Sequence, residues 1–422
     1  MVIAQWSMVL TLILMLSRRA PLYLTAIVGS GLTALIAGFP LTGNAAITLT
    51  KMVNAGLHPV IADMAGVLLF IGAMEASGLL DVIVRDIVRA GNRLGGGPGV
   101  AIAGGVAAGG IGSLTGFTQP AILAVATGNA AVRLGVDPSK VAAVHGHAGH
   151  LGNLAGFTHP TQVAIIAAIG AEFGVFNIYG AIIAASVFAA SFFRLTLEKK
   201  AIGYSSSPEA MRDLLDDFEN REYAAGSLAA FTPFLALIAG FVLGLPIFLV
   251  GVAAAILATI IAGRDPKRME AEMIAGAGRI ATPLLATISF LFLSTVIRNI
   301  GLVHTVSEAV RPILSLAPIQ AMLLVASLTA LMTQSYSAAA VIIIPFLEIV
   351  LDTGADPMAA GLAAASGGAL MQYFLTGGPV AALATVIPVI PGSSLRTANR
   401  FQRSSILVGL VVALALTTAL SL

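Results

Sequence analysis

The chain has 422 residues, of which 58% are hydrophobic and only 10% charged, and its mean hydropathy is +0.96. Soluble globular proteins are about half apolar and a quarter charged, so this composition predicts an integral membrane protein. The formal net charge of +2 is too small to indicate a nucleic-acid partner. The absence of cysteine excludes disulfides, thiolate metal sites and thiol nucleophiles.

Long apolar segments begin at the N-terminus. They predict membrane spans near residues 3–17, 21–38 and 59–79, followed by an amphipathic stretch at 81–94. No positive charge precedes the first segment, which distinguishes it from a cleavable secretory signal and predicts a retained span.

Two short apolar arms follow, at 98–113 and 120–133. Each is shorter than the roughly 20 residues that cross a bilayer. They are joined by the polar, glycine-containing tip GSLTGFTQP. The sequence therefore predicts a re-entrant hairpin over 98–133.

The next helix is predicted to be discontinuous. It begins at Val141, breaks within GNLAGFTHP at 152–160, and resumes to about Ile169. Proline and glycine interrupt helices, and backbone freed at membrane depth must be buried in protein or line a wet cavity. Gly-Phe-Thr-x-Pro thus occurs in both the hairpin tip and the break, and paired interruptions indicate a binding site. A span at 175–193 completes this half.

A polar run separates this half from a similar second one. We predict a first repeat at 1–195, a cytoplasmic linker at 196–223 and a second repeat at 224–422. The second repeat is predicted to begin with spans at 225–243, 244–262 and 280–298 and an amphipathic stretch at 301–314. A hairpin at 318–351 around TQSYSA follows. The repeat ends with a helix at 357–391, broken at LTGGP, and a span at 404–421.

The two halves keep a nearly constant spacing. Asp137 and Pro160 lie 219 positions before Asp356 and Pro379, which indicates an internal duplication. Each half has five spans and a hairpin. An odd number of spans makes the second half enter the membrane upside down, as an inverted repeat.

The distribution of positive charge fits this topology. It places nineteen Lys and Arg residues on one side and three on the other, and such residues concentrate in cytoplasmic loops. We therefore expect a multi-pass protein of the cytoplasmic membrane with both termini outside.

The polar residues of the tips and breaks define the predicted site. Helix N-termini that meet at membrane depth favour an anion, while hydroxyls and unwound carbonyls can hold a small cation. None of the four motifs contains Asp or Glu, so we expect an anionic or neutral substrate. Gln119, Gln162, Gln334 and Gln372 flank the interruptions and are expected to cap freed backbone.

Four of the six histidines lie within fifteen residues, at positions 145, 147, 150 and 159. For His145, His147 and His150 two interpretations stay open: a proton relay or anion ligand, or neutral hydrogen bonding between helices. His159 lies in the break itself, which favours a functional role. Helical spacing puts His147 and His150 on one face and His145 on another, which argues against a metal site. Glu75 and Arg298 are expected to be interfacial anchors.

The stretches EASGLLD, GSLTGFTQPAI and GNLAGFTHP resemble segments of the ion-transporter superfamily of secondary organic-anion carriers, which includes lactate, gluconate and C4-dicarboxylate permeases. The resemblance implies an all-α polytopic fold of two inverted repeats with broken helices, an elevator-type movement and a homodimer. The Ser-Asn-Thr signature of sodium-coupled dicarboxylate carriers is missing here, so specificity and coupling ion stay open.

The resemblance and the positions of the interruptions together assign the candidate residues. The substrate set is Thr115, Gly116, Thr118, Thr158, His159, Ser337, Thr376 and Gly377. The coupling-ion set, with Na⁺ as a possible ligand, is Ser113, Asn153, Thr333 and Ser335.

The predicted function is secondary active transport of a small mono- or dicarboxylate, coupled to a sodium or proton gradient. The alternative is a sodium/proton antiporter of the same architecture, which would be expected to carry an intramembrane acid in the breaks. We expect neither an enzyme nor a cofactor other than Na⁺ or H⁺ as coupling ion. The expected partners are the small substrate, the lipid bilayer and a second copy of the chain.

Overall fold

The structure is a computed structural model. It describes residues 1–16, 20, 22–55, 60–115, 123–202, 225–243, 245–277, 281–302, 304–305, 308, 314, 316–375, 383 and 386–422. These ranges contain helices, turns and bends and no strand, so the prediction of an all-α protein is confirmed for them.

The helices of the first half are α1 (Val2–Leu16), α2 (Leu22–Ile36), α3 (Leu49–Asn54), α4 (Val60–Ser77), α5 (Leu79–Gly95), α6 (Gly97–Thr115), α7 (Asn129–Arg133), α8 (Pro138–Gly146), α9 (Ala148–Leu154), α10 (Pro160–Ala168) and α11 (Val175–Ile202). One π-helical turn, Ala124–Gly128, leads into α7.

The helices of the second half are α12 (Ser227–Val242), α13 (Ile247–Ile261), α14 (Pro266–Ala277), α15 (Ala281–Asn299), α16 (Pro318–Thr333), α17 (Tyr336–Asp352), α18 (Pro357–Met371) and α19 (Leu395–Leu420). A short 3-10 turn, Ile387–Val389, lies between the last two.

Many of these helices have membrane character. In the described ranges, parts of α6 and α11 and all of α19 are long and apolar enough to cross a bilayer. α4 and α5 meet at an angle of 81° and make a further span if they are counted together. Seven shorter helices are also apolar. The chain is therefore a polytopic membrane protein.

Helices at corresponding positions of the two halves pack in the same way. α1 packs on α2 as α12 packs on α13, α6 packs on α9 as α16 packs on α18, and α9 packs on α11 as α18 packs on α19. Helices of each half also pack on helices of the other half: α2 packs on α15, and α13 packs on α4 in the corresponding way. The short connecting helices follow the same pattern, with α3 on α15 and α14 on α4. One continuous apolar core joins both halves.

Matching caps set the start of α8 and α18. Asp137 and Asp356 each precede a proline at the first helical position, and each carboxylate accepts a backbone N–H bond from three residues on, at 3.0 and 2.7 Å. Gly135 and Gly354, with φ of 90° and 82°, supply the left-handed residue that ends the preceding helix. Acidic caps and prolines favour these starts, as the spacing of 219 predicts.

The backbones of α4 and α13 come into direct contact at two glycines. A Cβ on Gly66 would lie 2.6 Å from the Cα of Phe248, and one on Gly251 would lie 2.4 Å from the carbonyl oxygen of Gly66. Small residues allow membrane helices to approach this closely. This pair of helices is therefore tightly joined.

Three expectations need correction. α11 continues to Ile202, past the predicted end at 193 and into the stretch assigned to the linker; residues 203–224 lie outside the described part. α19 begins at Leu395, nine residues before the predicted span, because Ser394 caps it there. α14 was not predicted, because its charged sequence was read as a connection between spans.

Candidate functional site

The first break lies between α9 and α10, and its freed carbonyls are bonded to protein. The amide nitrogen of Asn177 donates to the carbonyls of Ala155 (3.2 Å) and Gly156 (3.0 Å). Gln162 donates to the carbonyl of Leu154 at 2.8 Å, which confirms its predicted capping role. The unwound backbone is thus satisfied within the membrane, as such a break requires.

The C-terminal end of α6, which leads into the predicted first hairpin tip, contacts this break. The backbone N–H of Phe157 donates to the carbonyl of Ser113 at 2.8 Å, and the hydroxyl of Thr158 donates to the carbonyl of Leu114 at 3.2 Å. The hydroxyl of Ser113 donates to Gly110 within its own helix. Two predicted site residues, Ser113 and Thr158, therefore lie at one junction.

The second hairpin turns between α16 and α17. Gln334 has φ of 50° and is the one non-glycine residue with positive φ in the described part of the chain. The single hydroxyl proton of Thr333 lies within reach of two carbonyls, that of Thr329 (2.8 Å) and that of Ser335 (3.1 Å). The hydroxyl of Ser335 caps α17 by accepting from the N–H of Ala338. Both hydroxyl oxygens keep a lone pair for a ligand, since each has two.

Tyr336, the first residue of α17, connects this tip to both broken helices. Its hydroxyl donates to Oε1 of Gln162 at 3.1 Å, beside the first break. Its backbone N–H donates to Oε1 of Gln372 at 3.0 Å, at the end of α18. Its ring stacks on His159, with centroids 5.0 Å apart.

Side chains of α19 cap the second break. Asn399 and Gln402 donate to the carbonyl of Tyr373 at 3.0 and 2.8 Å, and Nε of Arg403 donates to that of Phe374 at 2.8 Å. Asn153, from the first broken helix, donates to the hydroxyl of Tyr373 at 3.4 Å. The two broken helices therefore also touch each other.

The described candidate residues fall into connected groups. Ser113, Asn153, Thr158 and His159 lie at or beside the first break, and Thr333, Ser335 and Ser337 lie at the second tip. The backbone of Thr115 ends α6, but its side chain is not described. Gly116, Thr118, Thr376 and Gly377 lie outside the described residues.

Several buried polar atoms lack a protein partner in the described part of the chain. At the junction they are Nδ1 of His159, Oε1 of Gln334 and the hydroxyl of Thr161. The great majority of buried polar groups in proteins are hydrogen-bonded, and exceptions often mark functional sites. Gln334 was expected to cap backbone, and its amide oxygen does not do so here.

The other three histidines are buried and hydrogen-bonded. Nε2 of His147 contacts the hydroxyl of Ser191 at 2.8 Å, and Nδ1 of His150 donates to the carbonyl of Ala369 at 3.4 Å. His145 faces the first hairpin, where Nε2 contacts the hydroxyl of Thr127 at 2.9 Å. The rings of His147 and His150 lie 5.5 Å apart, so the predicted shared face is confirmed. Nδ1 of His147 and Nε2 of His150, however, are buried without a hydrogen-bond partner in the described part of the chain, so the contacts do not choose between the two interpretations.

Sequence reasoning missed one buried acid. Glu348 on α17 accepts from Arg298 at 2.6 Å and from Ser294 at 2.8 Å, and it is 8% exposed. Arg298 is thus an ion-pair partner and more than an anchor. An acid within the apolar run IIIPFLEIVL was the available signal. Asn177 and Tyr336 were similarly visible as polar groups within apolar helices.

Comparisons with known proteins support a transporter fold. No family model and no curated protein sequence matches the chain. The solved structure of the YdaH transporter of Alcanivorax borkumensis is similar with a TM-score of 0.61 and 17% identity, over 99% of this chain and 98% of that one. MtrF of Neisseria gonorrhoeae, described within a class of antimetabolite efflux pumps, is similar with a TM-score of 0.61 and 13% identity, over 94% and 95%.

These similarities extend over nearly the whole of each chain, so this protein has the fold of a membrane transporter. Both similar structures are transporters and not enzymes, in agreement with the expectation of a non-enzymatic protein. Neither is described as a lactate, gluconate or C4-dicarboxylate permease, so the comparisons support a transporter fold without supporting that narrower resemblance.

Proposed function

We propose that the protein is a secondary active transporter of a small organic anion, a mono- or dicarboxylate, across the cytoplasmic membrane. The observation that carries this proposal is the meeting of two helix N-termini. His159 occupies the N-cap position of α10, and its ring stacks on Tyr336, the first residue of α17. Each N-terminus carries partial positive charge, so a pair of them favours an anion.

The proposed mechanism is alternating access by two inverted repeats, with an elevator-type movement. It is supported by the packing of α2 on α15 and of α13 on α4, which a two-fold relation between the halves would produce. It is also supported by discontinuous helices at both breaks, the usual arrangement around a central transport site. A homodimer and exterior termini belong to the same proposal.

The substrate would contact His159, Thr158 and Ser337, together with Thr115, Gly116, Thr118, Thr376 and Gly377 at the tips and breaks. Nδ1 of His159 is buried and has no hydrogen-bond partner among the described residues, which leaves it available to a ligand. Ser337 interacts with Tyr23 of α2, which ties the second tip to the neighbouring helix.

The coupling ion is proposed to be Na⁺, held by oxygens of Ser113, Asn153, Thr333 and Ser335. Hydroxyl and amide oxygens suit a hard cation that has lost its water. The competing choice is H⁺ carried by His159, because a nearby anion favours the charged imidazole. Sodium is preferred because hydroxyls occur at both tips, whereas His159 has Gly378 as its counterpart in the second half.

The test is uptake into proteoliposomes. Radiolabelled lactate and succinate are offered under an imposed sodium gradient or an imposed pH gradient, to the wild type, to His159→Gln and to His304→Gln as a control outside the site. We expect sodium-driven uptake of at least one acid and normal uptake by His304→Gln. Uptake driven by pH alone and abolished in His159→Gln would overturn the sodium assignment. Failure of both acids under both gradients would count against the proposal.

The second candidate is a sodium/proton antiporter. Glu348 favours it, because an antiporter needs an intramembrane acid. Glu348, however, forms an ion pair with Arg298 of α15. It lies along α17, an arm of the second hairpin, and not at the tip. Sodium-dependent proton movement without any organic anion would support this candidate.

The direction of transport is a separate question. Because the fold is similar to that of an efflux pump, export should be measured as well as uptake, by loading the acid inside the vesicles.

A further inference from the structure

Tyr336 is 1% exposed at the start of α17, and its hydroxyl and its backbone N–H bond two different broken helices. The hydroxyl goes to Gln162 of α10, and the backbone N–H goes to Gln372 at the end of α18. The second tip is therefore attached to the first half by a side chain and to the second half by its backbone.

Both acceptors are themselves committed to the breaks. The amide group of Gln162 donates to Leu154 at the end of α9, and that of Gln372 donates to Ala369 of α18. A chain of bonds thus runs from one helix break, through Tyr336, to the other. Buried polar networks of this kind hold their members in one arrangement, because an unpaired member is costly.

The surroundings fix the ring as well as its polar groups. His159 stacks on one face of the ring, at an interplanar angle of 22°. Gly368 of α18 leaves room for the ring edge, since a Cβ there would lie 2.5 Å from a ring carbon. A tyrosine that only filled space would need one partner for its hydroxyl, whereas this one is also held at one ring face, at the ring edge and at its backbone N–H.

We propose that Tyr336 is a positioning residue that links the second hairpin to both helix breaks, so that the two halves of the site open and close together. This inference rests on the proposed function, in which tips and breaks form the transport site. Other residues touch the substrate. Tyr336 acts by holding Gln162 and Gln372 in place.

The test uses the absence of cysteine from the chain. Single cysteines replace Ala338 in the second hairpin (8% exposed), Ala155 in the first break (9%) and Ala255 in α13 (0%). The labelling rate of each with N-ethylmaleimide is measured in purified protein, with and without Tyr336→Phe. That change removes only the hydroxyl and keeps the ring that stacks on His159.

We expect Tyr336→Phe to raise the rates at positions 338 and 155 by about tenfold, since one neutral hydrogen bond is worth about that factor. The rate at position 255 should not change. Tyr179→Phe on α11 is the matched control and should leave all three rates unaltered. If Tyr336→Phe does not fold, Gln372→Leu removes the other bond and should raise the same two rates.

An equal rise at position 255 would show general loosening and overturn the proposal. A rise at 338 without one at 155 would show that Tyr336 holds the hairpin but does not join the two halves, which also overturns it. Labelling needs no substrate, so this result and the outcome of the uptake assay are independent of each other.

Discussion

Asn177 and Asn399, 222 positions apart, each donate a side-chain amide to backbone carbonyls at a helix break. Asn177 bonds Ala155 and Gly156, and Asn399 bonds Tyr373. Each asparagine belongs to the long helix that comes after the broken one, α11 in the first half and α19 in the second. Both halves therefore use an asparagine to bond backbone carbonyls that a broken helix leaves free.

Replacing Asn177 by leucine should destabilise the protein. The substitution leaves the carbonyls of Ala155 and Gly156 and the N–H of Gly174 without their partner, and each unsatisfied buried group costs about 1–3 kcal/mol. Asn299→Leu is the control, because its amide bonds only the carbonyl of Thr295 in its own helix. Thermal unfolding in detergent measures both, and equal midpoints for the two variants would contradict the capping role.

Gly368→Ala should displace Tyr336. The added methyl would lie 2.5 and 2.7 Å from two ring carbons, and overpacking of this kind costs about 1–3 kcal/mol. At Gly110 of α6 a Cβ meets nothing within 4 Å, so Gly110→Ala should be neutral or slightly stabilising. The same unfolding measurement compares them. A Gly368→Ala protein as stable as Gly110→Ala would show that the ring has room to move.

Replacing Arg298 should lower the stability of the protein more than replacing its ion-pair partner Glu348. Arg298→Leu leaves a nearly buried carboxylate with only Ser294, whereas Glu348→Gln keeps an acceptor for both donors. Arg298 is 61% exposed, so we expect a loss of about 1–3 kcal/mol for Arg298→Leu and less for Glu348→Gln. Arg268→Leu breaks an exposed pair with Glu272 and should cost about 0.5 kcal/mol or less. The reverse order in unfolding experiments would argue that the carboxylate is neutral.

Topology can be tested in intact cells, because a chain without cysteine has no labelling background. We expect a cysteine at position 205, in the predicted linker, to be protected from an impermeant maleimide. A cysteine replacing Ser421 should be labelled, since the C-terminus is predicted to face outside. Labelling at 205 in sealed cells would invert the proposed orientation.

Much of the helical pattern could be predicted from the sequence, because proline and glycine clustered with polar residues favour a helix break, whereas Pro233 and Pro345, in apolar runs, lie inside α12 and α17. The break before Pro160 and the caps at Asp137 and Asp356 are local signals of this kind. The start of α19 was misplaced because Asn399, Gln402 and Arg403 are polar and were read as lying outside the membrane. They instead face the second break, and this placement depends on contacts with another part of the chain.

The candidate site was less predictable than the helices. Hydroxyls at the tips were evident, but Tyr336 acquires its importance from Gln162, Gln372 and His159, which lie up to 177 positions away. Glu348 was similarly hidden, since its partner Arg298 comes from another helix. Pair contacts between segments this far apart have no signature in a single sequence.

The contact of α4 with α13 at Gly66 and Gly251 affects how sequence variation in this protein should be read. Neither position belongs to a tip or a break, yet any side chain there would collide with the opposing main chain. In a saturation mutagenesis screen for growth, both would tolerate almost no replacement, as ligand-binding positions do. Alanine at Gly66 and Gly251 would lower the amount of protein in the membrane and leave the affinity of the surviving molecules unchanged. Abundance and affinity therefore have to be scored separately before intolerance is taken as a sign of binding.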